Sequence, residues 1–335
     1  MNRIRFLGLF LAFALIMGGC ASGRTDTAEN ESSTEGLADE QVPAAAGASS
    51  AAARQAKDKK SASSKKKHYR TPEFLGSAFH ADAAQGNGDV LLDLSAVSQG
   101  YVAVAGWSPA RLKFQVICGE STYTYDIYSD GTPSIFPLQC GDGLYTFRVM
   151  ENVTDSQYAQ LYIAEAEVAL ADQFQPYLRP SAYANYSQDS ACVKKAAKLA
   201  KKAEDELGVV SAVYEYICKT VKYDYPKAAS VQSGYLPDPD ETLETGMGIC
   251  FDYASLAAAM LRSQGIPAKV IFGYVSPDGL YHAWNMFYTE KTGWVTVGYK
   301  VEKNNWNRLD LTFAANGADE SFIGNGGNYV DVYFY

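Results

Sequence analysis

The sequence predicts an α+β chain in which a small β-sandwich precedes a domain of helices packed on an antiparallel sheet. Three observations predict it. Short alternating apolar runs separated by turn residues fill positions 89–170, helical three-and-four apolar spacing runs through 191–221 and restarts at 250, and two strand-like runs follow Ile266-Pro267. The 335 residues, 47% apolar and 13% aromatic, suffice to bury a core and suggest about two domains plus tails. Nothing repeats at a solenoid period.

Taken in order, residues 1–19 carry Arg3 and Arg5, an apolar run over 6–17, and Gly18-Gly19. The run is shorter than the roughly 20 residues needed to cross a bilayer, and its flanks fit a secretory signal. Cys20 directly after two glycines resembles the bacterial lipoprotein cleavage box, with Met17 where leucine is usual. That resemblance implies removal of residues 1–19, diacylglycerol on Cys20, and a place on the extracellular face of the plasma membrane. An ordinary signal peptide with an incidental Cys20 is the alternative.

Residues 20–70 are Ala, Ser, Gly, Glu and Lys with almost no large apolar side chain, so they cannot offset the entropy of ordering. They read as a tether with a root-mean-square reach of roughly 40 Å. Its basic stretch, Lys57 to Arg70, either leans on anionic lipid or wall polymer or is a solvated linker. Beyond residue 70, 31 acidic residues outnumber 18 basic ones. A nucleic-acid partner needs the opposite balance and is not expected.

Residues 71–175 form the predicted sandwich, of immunoglobulin-like size, with strands near 90–94, 101–105, 112–117, 123–128, 144–149 and 160–168. No polar constellation in it suggests chemistry. Residues 171–187, with Phe174, Tyr177, Leu178, Pro180 and Tyr186, are an aromatic connector expected to seal the sandwich to the second domain, 176–335. Two helices are expected at 191–206 and 209–221, joined at Leu207-Gly208, the first with a lysine-rich face.

The stretch from Gly246 to Gly265 organises the second domain. Tyr253, Leu256, Ala257, Met260 and Leu261 recur at the spacing of a helix with one buried face, which Gly265 stops. Cys250 lies in its first turn, where unpaired N–H groups favour the thiolate, the nucleophilic form. A buried, inert cysteine is the alternative. Downstream, a strand at 268–275, a Pro277-Asp278-Gly279 turn and a strand opening on Tyr281-His282-Ala283-Trp284-Asn285 carry one of only three histidines. His68 and His80 lie far upstream, so an imidazole partner for Cys250 in this region is His282.

The blocks G-x-C-x-D-Y-A (248–254), A-M-L-R-S-Q-G-I-P-A (259–268), G-Y-V (273–275), Y-H-A-W-N (281–285) and W-x-x-x-D-x-T-F (306–313) resemble the transglutaminase-like superfamily in its bacterial secreted form. The resemblance covers about residues 205–335 and rests on five blocks in the right order. It implies a papain-like fold and a Cys-His-Asp triad, with Cys250 as nucleophile and His282 as general base. The family's aspartate follows a tryptophan by four residues. After Trp294 that position is Gly298, whereas after Trp306 it is Asp310, so Asp310 takes the role and 299–305 reads as an inserted hairpin. Tyr223 in Tyr223-Asp224-Tyr225-Pro226, which resembles the segment before the family's nucleophile, is a candidate to border the acyl-binding cleft or to help the oxyanion hole, and Trp284, on the His282 face of its strand, is a candidate for the cleft wall; core packing is the alternative for both. Asp252 and Arg262 read as structural.

The activity implied is acyl transfer at protein or peptide amides near the cell surface or wall, through a thioester resolved by water or by an amine. A non-catalytic surface module on the same fold is the alternative. Six cysteines less Cys20 and Cys250 leave Cys118, Cys140, Cys192 and Cys218. An antiparallel helix pair makes a Cys192–Cys218 bridge geometrically feasible, Cys118 and Cys140 would then pair in the sandwich, and buried thiols are the alternative. No His/Cys cluster has metal-ligand spacing and no acidic motif matches a calcium loop, so no metal or cofactor is expected. Oligomeric state has no signature.

Overall fold

The computed structural model describes residues 68–276, 279–296, 298–302, 305–308, 311–315 and 329–335. The signal peptide, Cys20 and all but the last three residues of the tether lie outside these, as does Asp310. No helix among the described residues is long and apolar enough to cross a membrane.

Eight strands come first: β1 (Gln85–Gly86), β2 (Val90–Asp93), β3 (Tyr101–Gly106), β4 (Leu112–Cys118), β5 (Ser121–Ile127), β6 (Ser134–Pro137), β7 (Gly143–Thr154) and β8 (Gln157–Val168). They form two four-stranded antiparallel sheets, ordered β1-β2-β3-β6 and β5-β4-β7-β8. β4 alternates buried and half-buried residues, the period of a strand with one covered face. The sheets meet through Phe114, Tyr125 and Phe136, whose ring centroids lie 5.3 Å (Phe114 to Phe136) and 4.2 Å (Tyr125 to Phe136) apart. Cys118 and Cys140 are disulfide-bonded across 22 residues. The six expected strands are present; β1 and β6 were missed because two and four residues, the latter bounded by Pro133 and Pro137, are too short for an alternating signal.

The helices are α1 (Ala191–Ala200), α2 (Glu206–Thr220), α3 (Tyr225–Ser230), α4 (Pro239–Thr245), α5 (Cys250–Arg262) and α6 (Leu311–Ala315). The expectation of helices at 191–206 and 209–221 is corrected: α1 stops at Ala200, and Asp205 starts α2 by accepting a 3.0 Å hydrogen bond from the Gly208 N–H. A carboxylate N-cap outweighs the apolar periodicity that runs through the break. The expected Cys192–Cys218 bridge is also absent. Cys192 is buried at the start of α1, where Asp240 accepts its backbone N–H at 2.8 Å and its thiol, so the side chain is committed to α4 rather than to α2.

α5 is the hub. The sequence pattern predicted one buried face, yet every residue from Phe251 to Arg262 is buried. A helix apolar all round must be covered all round: α1, α2 and α4 pack on one side, and β11 (Ala268–Val275) and β12 (Leu280–Thr289) on the other. Ala254, Ala257, Ala258 and Ala259 keep that approach close. β11 and β12 are central in an antiparallel sheet completed by β13 (Gly293–Thr296) and β16 (Tyr329–Phe334). β14 (Gly298–Glu302) and β15 (Asn305–Arg308) pair as a hairpin, where the sequence indicated an insertion. β9 (Lys222–Tyr223) and β10 (Met247–Gly248) form a two-residue parallel pair.

The connector touches both halves. Tyr183 lies 5.5 Å from Tyr125 on β5 and 5.0 Å from Phe251 on α5, ring to ring. Tyr335, bonded by its backbone to Val270, packs against Tyr123 and Tyr125. At the far end of α5, Tyr69 donates to the Gln264 carbonyl at 2.7 Å and Pro72 lies against Gly265. Gly265 holds φ +75°, and a Cβ there would sit 2.1 Å from the Pro72 ring, so both backbone and space require glycine.

Candidate active site

The first turn of α5 is built by the residues around it. Gly246 ends α4 in the left-handed conformation (φ 63°), its N–H returning to the Thr242 carbonyl. Met247-Gly248 then pairs with Lys222-Tyr223, and the chain enters α5 at Ile249. Ile249 has no side chain to cap a helix. Asp252, at the third helical position, accepts the Ile249 N–H at 2.8 Å instead, one half of a capping box. The N–H of Cys250 makes no hydrogen bond to any described residue and belongs to the orphan donors of a helix start.

Asp252 is fully buried and gripped from outside the helix. Lys227 Nζ of α3 lies 2.9 Å from Oδ2, and the Tyr235 hydroxyl donates to Oδ1. Burial and then the Asp252 carboxylate push the Tyr235 phenol well above its ordinary range, so it remains a donor. These bonds hold the 225–235 segment over the end of α5 that bears Cys250. The sequence reading took Asp252 as structural but did not find Tyr235 or Lys227, because partners 17 and 25 positions away leave no periodic trace.

β12 is fastened to the same turns. Asn285 Nδ2 donates to the Ala254 carbonyl at 2.9 Å and to the Lys269 carbonyl at 3.1 Å, tying strand to helix one turn beyond Cys250. By strand alternation Tyr281, Ala283 and Asn285 share that face. Tyr281 stacks on Phe272 at 5.9 Å, and Phe272 packs on Phe251 at 4.8 Å, the residue next to Cys250. Burial first, then the neighbouring Tyr333 and Tyr274 and the charge of Cys250, push the Tyr281 phenol above its ordinary value.

His282 follows Tyr281, is 4% exposed, and pairs with Gly273 in the ladder, its ring 6.1 Å from that of Trp284. A Cβ at Gly273 would lie 2.0 Å from the Val330 carbonyl and 2.7 Å from the Trp284 ring, so β16 and Trp284 close in there only because the side chain is missing. Trp284 is not an exposed cleft wall. It is 3% exposed and packs with Ile271 and Val275 and against Tyr329 at 5.0 Å, the face of the sheet away from Asn285. Tyr223, half-buried, pairs with Gly248 two residues before the cysteine and lies 5.0 Å from the exposed Tyr225. The structure thus sets Tyr223 beside Gly248 at the approach to Cys250, stacks Tyr281 on the ring layer that supports the first turn of α5, places His282 next to it along β12, turns Trp284 away from Asn285, and leaves Asp310 outside the described residues.

Among the other histidines, His80 is engaged elsewhere, its Nδ1 3.0 Å from Asp93 on β2. No three His, Cys, Asp or Glu side chains among the described residues converge as a metal site.

Comparison with known proteins gives this geometry a context. Residues 193–299, from α1 to the start of β14, match the family model of the transglutaminase-like superfamily. An uncharacterised protein of Mycobacterium leprae is 33% identical over 138 residues, 38% of this chain and 46% of that one. A protein-glutamine gamma-glutamyltransferase of Pseudomonas aeruginosa is 36% identical over 70 residues, 17% of this chain and 10% of that one. The chain therefore spans under half the length of these relatives. The red sea bream transglutaminase structure overlaps 68% of this chain and 53% of its own at 13% identity, with a TM-score of 0.28. Residues 193–299 are a transglutaminase-like core domain.

Proposed function

We propose that the protein is a cysteine enzyme of the cell surface that transfers or hydrolyses acyl groups at protein or peptide amides, with Cys250 as nucleophile, His282 as general base and acid, and Asp310 as the group that orients the imidazole. The observation that carries this reading is the open first turn of α5. A helix buried along its whole length ends in a partly exposed thiol with an orphan backbone N–H, and the strand bearing His282 is bonded to that helix through Asn285.

In this scheme the Cys250 sulfur attacks the amide carbonyl, and the orphan N–H of Cys250 donates to the oxygen that becomes charged. His282 takes the thiol proton and passes it to the leaving ammonia or amine. Asp310, by accepting from the far ring nitrogen, selects the tautomer that faces sulfur. The thioester left on Cys250 is then cleared by water or by an amine. Tyr223, beside Gly248, borders the approach to the thiol. These steps call on side chains and backbone only.

Residues 1–19 act as the signal in this proposal and Cys20 as the lipid-bearing residue, with the tether setting how far the enzyme reaches from the membrane. Cys20→Ala is expected to move the protein from the membrane fraction to the medium.

The activity is tested by incubating the protein with glutamine-containing peptides, with and without a primary amine, and following ammonia release, amine incorporation and peptide cleavage by mass spectrometry. The proposal expects at least one of these, lost in Cys250→Ala. Their absence across a varied peptide pool, or their survival in Cys250→Ala, would overturn it and favour a binding module.

A further inference from the structure

We propose that the hydroxyl of Tyr281 is a catalytic residue of this site, the side-chain donor that joins the Cys250 N–H in holding the oxyanion. The inference rests on the acyl-transfer reading above and adds to it a residue with a stated task.

The Tyr281 hydroxyl is buried and has no hydrogen-bond partner among the described residues. A buried hydroxyl without a partner forfeits its hydration and calls for an explanation. Its position says what that is. The ring is on the α5 side of β12, fixed by stacking on Phe272 and by an edge contact with Tyr274 at 5.4 Å. Phe272 in turn packs on Phe251, so the phenol is carried on the layer of rings that supports the first turn of α5. The neighbouring charge of Cys250 is felt at the phenol, which burial and these neighbours keep protonated. A protonated phenol carried on the rings that pack against Phe251, the neighbour of Cys250, is a donor in reserve, held by packing and needing no reorganisation when charge develops.

The step it serves balances simply. The sulfur lone pair forms the S–C bond, the carbonyl π pair moves onto oxygen, and that oxygen accepts from the Cys250 N–H and the Tyr281 O–H. When the pair returns, the C–N or C–O bond to the leaving group breaks and both donors are released.

The role is separable from activation of the thiol. Alkylation by iodoacetamide is displacement at saturated carbon and forms no oxyanion, whereas acylation by p-nitrophenyl acetate does. Tyr281→Phe is expected to slow the p-nitrophenolate burst by about 100-fold, the scale of one lost oxyanion donor, while the rate of Cys250 alkylation and its pH profile stay as in the unaltered protein. Tyr274→Phe serves as the comparator from the same ring cluster and is expected to leave both rates unchanged. Removing an unpartnered buried hydroxyl costs no hydrogen bond, so the thermal midpoint of Tyr281→Phe is expected to stay level or rise by about 2–4 °C. A burst in Tyr281→Phe within threefold of the unaltered protein overturns the oxyanion role and leaves the Cys250 reading standing. A parallel fall in burst, alkylation and thermal midpoint would make Tyr281 a structural residue. No burst from the unaltered protein, or an equal burst from Cys250→Ala, overturns the nucleophile and the Tyr281 role together.

Discussion

The two ends of α5 are built to opposite specifications. At its C-terminal end Arg262 is buried and donates to neutral acceptors: the carbonyls of Ala268 (2.8 Å), Arg179 (3.0 Å) and Tyr335 (3.0 Å) and the Ser181 hydroxyl (3.3 Å). One side chain thereby joins α5 to β11, to the connector and to the C-terminus. At the N-terminal end nothing caps the helix from Ile249, Cys250 is partly exposed, and the charged group is Asp252, drawn outward to Lys227 and Tyr235. The locked end holds the helix still; the open end leaves a thiol and backbone donors for a substrate. A rigid element with one unsatisfied end is a common way to position chemistry.

The comparison breaks most sharply at the open end. Cys250→Ala is expected to cost about 10,000-fold or more in acyl transfer while changing the urea midpoint little, because the sulfur is used and the side chain is only partly buried. At the locked end Arg262→Met is expected to lower stability by about 3–5 kcal/mol, since it removes the charged hydrogen bonds that join Ala268, Arg179, Ser181 and Tyr335 to the helix. In the fraction that remains folded, Cys250 should alkylate at its usual rate. Asp252→Ala should do both things at once. Stranding Lys227 and the Ile249 N–H is expected to cost about 2–4 kcal/mol in urea unfolding, and the loosened first turn should change the alkylation rate of Cys250 severalfold. Equal effects of Asp252→Ala and Arg262→Met on that rate would erase the distinction.

The smallest effect concerns acid. Asp240 caps α1 by accepting from Ala191 and Cys192 at 2.8 Å each; partial burial raises its carboxyl pKa, but these hydrogen bonds outweigh it and the net direction is down. A group whose folded pKa is depressed contributes stability above its unfolded value, near 3.9 for aspartate, and loses it as pH falls through the folded one. Asp240→Asn is therefore expected to cost about 1 kcal/mol at pH 6 and progressively less below pH 4. Urea midpoints at pH 3 and 6 check the sign, and α5 should not respond in either case.

Much of this architecture was legible because its signals are local. The strand alternation of β4 and β5, the apolar run of α5 and the separated motif blocks each sit within a few residues of one another. The turn chemistry was less so: Asp205 interrupts a helical pattern that Ala203 and Leu207 continue, and only the hydrogen bond to Gly208 shows which wins. Long-range facts were invisible. Nothing near Cys192 announces that Asp240 will claim it, and nothing near Trp284 says which of two buried faces it fills. Period two set Trp284 with His282, yet the same rule gave no hint that Tyr281 stacks on Phe272 and so joins the ring layer under the first turn of α5.

The central claim, that the open end of α5 carries an activated nucleophile served by β12, is tested most directly by iodoacetamide alkylation of the intact protein at pH 7. Peptide mapping separates Cys250 from Cys192 and Cys218, and the His282→Ala variant is run beside the unaltered chain. The account predicts that Cys250 reacts at least tenfold faster than the other two thiols and that His282→Ala removes most of the difference. A Cys250 no faster than Cys218, or one indifferent to His282, would contradict it.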